Sequence, residues 1–257
     1  MPRIAIIGAG GFVFPLTLIR DILSFPELRG ATLALMDIDT GRLQQTMHSA
    51  QQLVAQYGLP TEIIATTDRR TALRGASYVI VAFQVGGLEA YRLDVAIPRR
   101  YGIDQTVGDT LGPGGIMRGL RTIPVLLDIA RDMQEICPDA LLIQYANPTA
   151  MNCWALHSTG IKTVGLCHSV QNTSRMLARQ IAVSYGEVRF KAAGIIINPG
   201  FSNSATVKKT FTHGCAPLCS RSTCKRMSAL IWQLTLTIAK VNTKIRFMRV
   251  AVSVFAP

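Results

Sequence analysis

Short apolar runs alternate with amphipathic segments along about the first 190 residues of the chain. The apolar runs stop at glycine, proline or acidic residues, which is the pattern of buried strands joined by turns. Strands are predicted at residues 3–7, 31–36, 62–65, 78–83, 140–145 and 162–166, and helices at 12–23, 42–57, 70–73, 124–136 and 172–185, the last capped by Asn172. Nearly continuous apolar strands that alternate with helices predict an α/β fold, a doubly wound parallel sheet of the Rossmann type.

This alternation stops after Gly194. Residues 195–197 fit one more strand, but no regular pattern follows until residue 229. All 15 acidic residues lie at or before Glu187, so the net charge of +12 comes mainly from the last part of the chain. The sequence therefore predicts two parts: an α/β domain at 1–194, and a truncated or disordered second domain, a poorly ordered basic tail, at 195–257.

The basic tail invites two functional interpretations, neither of which its pattern favours. Nucleic-acid binding requires a basic stripe, but here the basic residues are scattered singly among small and apolar ones. Cys215, Cys219 and Cys224 lie near His213, but they lack the close cysteine pair of a zinc knuckle. No apolar stretch is long enough to span a bilayer, and the first residues lack a signal-peptide pattern. We therefore expect a cytoplasmic protein without a nucleic-acid or membrane partner.

The first chemical motif is a glycine turn between a predicted strand and a helix. It comprises Gly8, Ala9, Gly10 and Gly11, and such a turn lets the backbone approach a pyrophosphate at the helix N-terminus. The third glycine of the usual fingerprint is replaced by Val13. Asp37 follows the second predicted strand, where a carboxylate binds the ribose hydroxyls of NAD and repels the additional phosphate of NADP. A glycine turn beside a surface Asp is the alternative.

Two further segments are rich in small residues. Residues 81–87 end the fourth predicted strand, where a cofactor crosses the edge of such a sheet, and Phe83 is the candidate contact. Residues 108–118 are dense in glycine, and Asp109 and Arg118 offer opposite charges to a polar ligand. A mobile surface loop explains the same glycines, so both interpretations stay open.

The last two predicted strands are each followed by residues with ligand-binding chemistry. Asn147 lies where small ligands bind in open α/β sheets. Cys167 and His168 offer a thiolate and an imidazole, which together bind divalent metals. By themselves, adjacent Cys and His residues are more often packing residues than metal ligands.

Taken together, these segments resemble the NAD- and manganese-dependent enzymes of glycoside hydrolase family 4. The resemblance covers about residues 3–194, and its segments are most similar to the bacterial α-galactosidase branch, which cleaves melibiose. It is carried by residues 35–39, 109–117, 147–152 and 164–170.

The resemblance implies an unusual glycosidase reaction that does not use two carboxylates. NAD⁺ oxidises the sugar C3 hydroxyl, a base removes the acidified C2 proton, the glycosidic oxygen leaves by elimination, water adds and the hydride returns. Mn²⁺ polarises the developing C3 ketone. The implied cofactors are thus NAD and Mn²⁺, the implied substrate is a small α-galactoside, and relatives of this kind suggest a homo-oligomer.

The same resemblance assigns roles by matching position. NAD binding falls to Gly8, Gly10 and Asp37, and sugar binding to Asn147 and Asp109, so residues 1–194 are implied to be the NAD-binding domain with the start of the substrate and metal site. The motifs themselves add Ala9, Gly11 and Phe83 to the NAD-binding candidates and Arg118 to the substrate-binding ones. Cys167 is the implied metal ligand. His168 is a candidate proton donor beside the metal, and Asp109 is placed with it among the catalytic residues.

One segment departs from the family pattern. The family's second metal-binding His lies in a Gly-Ile-Asn-His segment, whereas residues 194–199 of this chain contain no His. The family's catalytic tyrosine has no counterpart after that point. A reading-frame shift near the codons for residues 194–198 explains both departures and the loss of acids, so we expect little or no glycosidase activity. The alternatives are a non-catalytic NAD-binding module and an ordinary NAD dehydrogenase that uses His168.

Overall fold

The chain folds around a six-stranded parallel sheet with the strand order β3-β2-β1-β4-β5-β6. The computed structural model describes residues 1–104, 110, 112–166, 174–176, 178–179 and 182–187. The strands are β1 (Arg3–Ile7), β2 (Thr32–Met36), β3 (Glu62–Thr66), β4 (Tyr78–Val81), β5 (Leu141–Gln144) and β6 (Thr163–Gly165). The order reverses direction at β1, which is the strand order of dinucleotide-binding folds and confirms the predicted fold class.

Six α-helices connect and cover these strands within the described residues. They are α1 (Phe14–Ser24), α2 (Thr40–Gln56), α3 (Arg69–Leu73), α4 (Gly87–Arg100), α5 (Gly112–Ile136) and α6 (Thr149–His157). None of the helices within the described ranges is both long and apolar enough to cross a membrane.

The sheet separates two apolar cores. Leu18, Ile19 and Leu43 of α1 and α2 pack on one face, in the α1–α2 core. Leu126 and Ile129 of α5 pack on the other face with residues of α3 and α6, in the α5–α6 core. Adjacent residues of one strand serve opposite cores, since side chains alternate across a sheet.

The strands end at a common level, which brings their following residues to one edge. Ile7 pairs with both Met36 and Val81, while Gln144 pairs with Val81 and with Gly165. The residues that follow each of these strands therefore line the carboxyl edge of the sheet, where ligands bind in open α/β folds.

The six strands predicted up to residue 166 are confirmed, but two helices were missed and a third begins earlier than predicted. Helix α4 was not predicted because it buries only Asp94 and Pro98 and so lacks an apolar face. Helix α6 was not predicted either, and it begins at Thr149, directly after the Asn147 segment. Helix α5 begins at Gly112 rather than at Pro124, which lies inside it. Burial of the α5 face outweighs the weak helix propensity of glycine and proline there.

The glycine-rich segment is not a mobile surface loop where the structure describes it. Gly114 and Gly115 are buried in the first turns of α5, and a Cβ on Gly115 would lie 2.7 Å from the carbonyl carbon of Thr110. The glycines there permit close packing of backbone on backbone.

The structure describes the end of the chain only in part. Residues 174–176 and 178–179 are helical, but Ala182 has φ +53° and residues Tyr185–Glu187 form a 3₁₀ turn, so the helix predicted to reach 185 ends earlier. In this second compact unit, Arg175 lies over the Tyr185 ring at 5.4 Å. Asn172, residues 195–197 and the basic tail lie outside the described residues.

Candidate dinucleotide site

The glycine turn after β1 is fixed by steric contact with the end of β4. Gly8 has φ +92°, and a Cβ there would lie 2.7 Å from the Ala82 oxygen and 2.8 Å from Phe83 Cβ. The N–H groups of Gly8 and Ala9 both donate to the Met36 carbonyl at 2.9 Å. Only glycine combines this backbone conformation with this approach, so the turn can form only with the residue found there.

Asp37 closes the turn from the other side. Its Oδ2 accepts the Gly10 N–H at 2.7 Å, and its Oδ1 accepts the Asp39 N–H at 2.9 Å. A Cβ on Gly10 would lie 2.9 Å from Asp37 Oδ2, so the second glycine leaves the carboxylate its place. The turn and the carboxylate thus form one cradle, with a negative charge at the end where a dinucleotide ribose lies.

Helix α1 begins at this cradle with its amide groups uncapped by side chains. Val13 is the N-cap residue and makes no side-chain cap, and the first turn contains no acidic residue. Pro15 is buried and lies in that first turn, the part of a helix that tolerates proline. Uncapped amides and the positive end of the helix dipole make an anion-binding site. Val13 is 68% exposed, so close packing does not require the missing third glycine there.

The end of β4 forms the wall beside the turn. Phe83 packs partly buried against the α5–α6 core, and its Cβ lies close to Gly8. Beyond it, Gln84 Nε2 donates to the Gly87 oxygen at 2.8 Å, and Gly86, with φ +82°, caps α4. Ala82 and Phe83 of the segment 81–87 therefore border the cradle, and contact of Phe83 with a cofactor stays a prediction.

A second turn, at Asn147, follows β5 on the same edge. Gln144 is fully buried, and its Nε2 donates to the Ala146 oxygen at 2.7 Å while its Oε1 accepts the Ala146 N–H. Asn152 of α6 donates to the same oxygen at 3.1 Å. Three buried groups thus hold the residue directly before Asn147, whose peptide bond to Pro148 is cis.

Asn147 itself is fixed by its neighbours on α5 and α6. Arg118 Nε donates to the Asn147 carbonyl at 3.2 Å, and Thr149 Oγ1 lies 3.2 Å from Asn147 Oδ1. A Cβ on Gly119 would lie 3.4 Å from Pro148 Cγ, so α5 packs closely on this turn. The structure therefore brings together Asn147 and Arg118, the two predicted substrate residues that it describes.

One aromatic contact connects the two turns. Phe14, in the first turn of α1, lies 5.6 Å from Tyr145 between ring centroids, and Tyr145 comes two residues before Asn147. The cradle and the Asn147 turn are thus neighbours along the edge of the sheet, in the crevice where the strand order reverses.

Comparison with known proteins agrees with this arrangement. Residues 3–183 match the family 4 glycosyl hydrolases. The chain is 47% identical over 195 residues to an alpha-galactosidase of Rhizobium meliloti and 45% identical over 197 residues to an alpha-galactosidase of Bacillus subtilis. The chain belongs to family 4 of the glycosyl hydrolases.

The similarity covers only part of each relative. It spans 75% and 76% of this family 4 chain but 40% and 46% of the two alpha-galactosidases. A 6-phospho-beta glucosidase of Thermotoga maritima, solved with manganese, NAD⁺ and glucose-6-phosphate, superposes with a TM-score of 0.64 at 25% identity. That match covers 76% of this chain and 46% of the solved one. The chain thus spans less than half the length of these relatives.

Three of the predicted site residues cannot be placed in this family 4 chain. Asp109, Cys167 and His168 lie outside the described residues. Within the described ranges, no group of three or more His, Cys, Asp or Glu residues is arranged to hold a metal ion. The predicted metal ligand and proton donor therefore stay predictions.

Two buried polar features near the edge were not predicted from the sequence. One is Gln144, and the other is an ion pair between α4 and α5, in which Arg121 donates to Asp94 at 2.9 and 2.5 Å. Asp94 is fully buried, and its hydrogen bonds raise the pKa of Arg121. A polar residue at an otherwise apolar strand position is the sequence signal that would have identified Gln144.

Cys153 was not singled out by the sequence either. It is buried on α6, and a Cβ on Gly165 would lie 2.6 Å from its sulfur, so α6 packs tightly on the end of β6. Burial raises the pKa of the Cys153 thiol to about 11. The thiol is therefore neutral at physiological pH and acts as a packing group.

Proposed function

We propose that this family 4 chain binds NAD at the cradle that the glycine turn forms with Asp37. We further propose that the chain derives from an enzyme that hydrolyses α-galactosides such as melibiose. The cradle is the observation that carries the proposal. The α-galactoside preference is supported by the names of the two relatives at 47% and 45% identity.

The described residues fit a dinucleotide. The glycine turn is held by its own hydrogen bonds, so the amides of Phe12 and Val13 at the start of α1 are the proposed donors to a pyrophosphate. The Asp37 carboxylate is the proposed acceptor of ribose hydroxyls, and Phe83 forms the adjoining wall. Gly10 leaves room at the point where a Cβ would meet Asp37. When bound, NAD⁺ supplies a hydride acceptor for a sugar hydroxyl, the chemistry with which the proposed C3 oxidation and C2 elimination begin.

The Asn147 turn is the proposed sugar-binding side of the crevice. The Asn147 side chain, which Thr149 Oγ1 contacts at 3.2 Å, is the proposed contact for sugar hydroxyls, and Arg118 Nε holds the Asn147 carbonyl at 3.2 Å. Asp109 and His168 complete the proposed substrate and proton-donor set from outside the described residues. The Mn²⁺ site rests on Cys167 and on the family resemblance alone, because the described residues hold no metal-binding cluster.

We further propose that this chain has little or no glycosidase activity. Residues 194–199 contain no His where the family has its second metal ligand, and the segment after them lacks the matching tyrosine. Loss of one protein ligand weakens a metal site strongly. A non-catalytic NAD-binding protein is the second candidate, and the same missing His favours it. The domain boundary at 194, the cytoplasmic location and homo-oligomerisation remain predictions.

Calorimetric titration with NAD⁺ tests the cofactor proposal. The Asp37→Asn variant keeps the shape of the side chain and one of the two acceptors, for the N–H of Gly10 or of Asp39, but loses the charge that holds the ribose. We expect about a tenfold weaker affinity for NAD⁺, the typical loss for one hydrogen bond to a charged group. Absence of any heat with NAD⁺ at millimolar concentration, in folded wild-type protein, would overturn the cofactor site and the enzyme assignment together.

Hydrolysis of an aryl α-galactoside with NAD⁺ and Mn²⁺ tests the activity. We expect NAD⁺ binding without measurable turnover, and robust turnover by the 257-residue chain would disprove the proposed impairment. Resequencing the gene near the codons for residues 194–198 tests the reading-frame hypothesis. A downstream frame that encodes the family's tyrosine and acidic residues supports the hypothesis, and a verified sequence without such a frame refutes it.

A further inference from the structure

The segment after β2 holds an arginine next to the cradle. Asp39 caps α2, since its Oδ1 accepts the Arg42 N–H at 3.0 Å, and its Oδ2 accepts Arg42 Nε at 2.7 Å. Both carboxylate oxygens of Asp39 therefore bond to the same residue. The side chains of Arg42 and Asp39 are 48% and 40% exposed, so the pair lies at the surface where a ligand can reach it.

Arg42 borders the same side of the second glycine as Asp37 does. A Cβ on Gly10 would lie 3.0 Å from Arg42 Cβ and 2.9 Å from the Asp37 carboxyl carbon. In dinucleotide-binding folds this is the edge that receives the adenosine ribose. An arginine beside that ribose is the residue that accommodates the 2′-phosphate of NADP. The chain thus carries at one place an acid that selects NAD and a cation suited to NADP.

We propose that Asp39 is a specificity-determining residue, which neutralises the Arg42 guanidinium and so reinforces the selection of NAD over NADP by Asp37. This inference rests on the proposed NAD site. Asp39, Asp37 and Arg42 together carry one net negative charge, so a 2′-phosphate meets net repulsion at this edge.

The ionisation of Asp39 is consistent with this role. The backbone N–H and the guanidinium of Arg42 lower the pKa of the Asp39 carboxyl, so it is ionised wherever NAD-dependent chemistry is practical. Two bonds to one arginine also orient that side chain, since the cap fixes the carboxylate. Selection therefore depends on a residue that need not touch the cofactor.

The test compares NAD⁺ and NADP⁺ binding by calorimetry in variants of the full chain. Asp39→Asn keeps an acceptor for the Arg42 N–H and removes the charge, and Asp39→Ser is a second variant with an equally good cap. We expect the affinity for NADP⁺ relative to NAD⁺ to rise about tenfold in both, the size of one charge-assisted contact. Adding Arg42→Gln to either variant should abolish the gain.

The matched control is Asp68, which caps α3 in the same way. Its carboxylate accepts the N–H groups of Arg70 and Thr71, each at 3.1 Å, but it follows β3 rather than β2. Asp68→Asn should leave the ratio unchanged, and an equal gain there would assign the effect to general charge and overturn the proposal. An unchanged affinity for NADP⁺ relative to NAD⁺ in folded Asp39→Asn and Asp39→Ser proteins that still bind NAD⁺ would also overturn the proposal. Wild-type protein without NAD⁺ affinity refutes the underlying cofactor site as well.

Discussion

Two turns at the same edge of the sheet are held by opposite means. The turn after β1 depends on side chains that are absent, because Gly8 and Gly10 leave space for Phe83 and Asp37. The turn at Asn147 depends on side chains that are present, because the buried amides of Gln144 and Asn152 both bond to Ala146. The first turn needs open space at two glycines in addition to its hydrogen bonds, whereas the second turn needs the side-chain hydrogen bonds of two buried amides.

The difference decides what a substitution does. Adding one methyl group should disrupt the first turn, whereas removing an amide should disrupt the second. The glycine turn is also the proposed cofactor side and the Asn147 turn the proposed sugar side. Breaking each turn separately therefore tests whether the two sides of the crevice are independent.

The largest effect is expected from Gly8→Ala. Its Cβ would meet the Ala82 oxygen and Phe83 at under 3 Å, and alanine is strained at φ +92°. Together these should lower the free energy of unfolding by about 4 kcal/mol, measured by urea denaturation. NAD⁺ affinity should be lost in any protein that remains folded.

Gly58→Ala is the matched control for this prediction. Gly58 also has positive φ, at +57°, but nothing lies within 4 Å of its Cβ position. The substitution should cost only about 1 kcal/mol, the strain of a left-handed residue alone. Equal losses of stability in Gly8→Ala and Gly58→Ala would show that the contacts with Ala82 and Phe83 add nothing to the cost at Gly8.

A smaller loss is expected when the other turn is broken by Gln144→Ala. The Ala146 N–H loses its acceptor in a buried site and a cavity opens, so unfolding should become easier by about 3 kcal/mol. NAD⁺ affinity should stay within about threefold of wild type, since the cradle is held separately. A large loss of NAD⁺ affinity in a folded variant would contradict the independence of the two turns.

Gln134→Ala serves as its control. Gln134 Nε2 donates to the Thr159 oxygen at 2.7 Å on the protein surface. Because water replaces that bond, the substitution should cost under about 1 kcal/mol in the same urea experiment.

The smallest of these effects is pH-dependent and tests the packing behind the Asn147 turn. The Cys153 thiol has its pKa raised from 9.0 to about 11, so ionisation favours the unfolded chain as pH rises above 9. Between pH 7.5 and 10.5 the thiol should remove about 2 kcal/mol of stability from wild type. The loss begins above the unfolded pKa and is complete above the folded one.

Urea denaturation of Cys153→Val at both pH values isolates this contribution. The valine variant retains the bulk of the side chain but cannot ionise, so its stability should fall less over the same interval. An identical fall in wild type and variant would show that the thiol does not titrate abnormally.

The sequence predicted the six strands and the glycine turn because both leave direct signals. Buried parallel strands are continuous apolar runs, and Gly8, Gly10 and Asp37 follow two of them at the spacing that is typical of a dinucleotide turn. Both signals are local in the chain, so neither depends on knowing which elements touch.

The remaining features depend on tertiary contacts. Helix α4 has few buried residues, and α5 extends through glycines and Pro124, so neither follows the usual helix pattern. Gln144 is the last residue of β5, and its role in the turn follows only from the structure, where it and Asn152 of α6 bond to the same Ala146 oxygen. Asp109, Cys167 and His168 are predicted by resemblance alone and lie outside the described residues.

The alternation of the strand side chains between two cores limits which length changes the domain tolerates. In β1, Ile4 and Ile6 face the α1–α2 core, while Ala5 and Ile7 face the α5–α6 core. One inserted residue inside β1 would exchange the two sets and place an isoleucine where the smaller Ala5 is buried. An insertion at the exposed tip near Gly58 meets no such constraint. Natural length variation in this half of the protein should therefore collect at the end of the sheet away from the crevice.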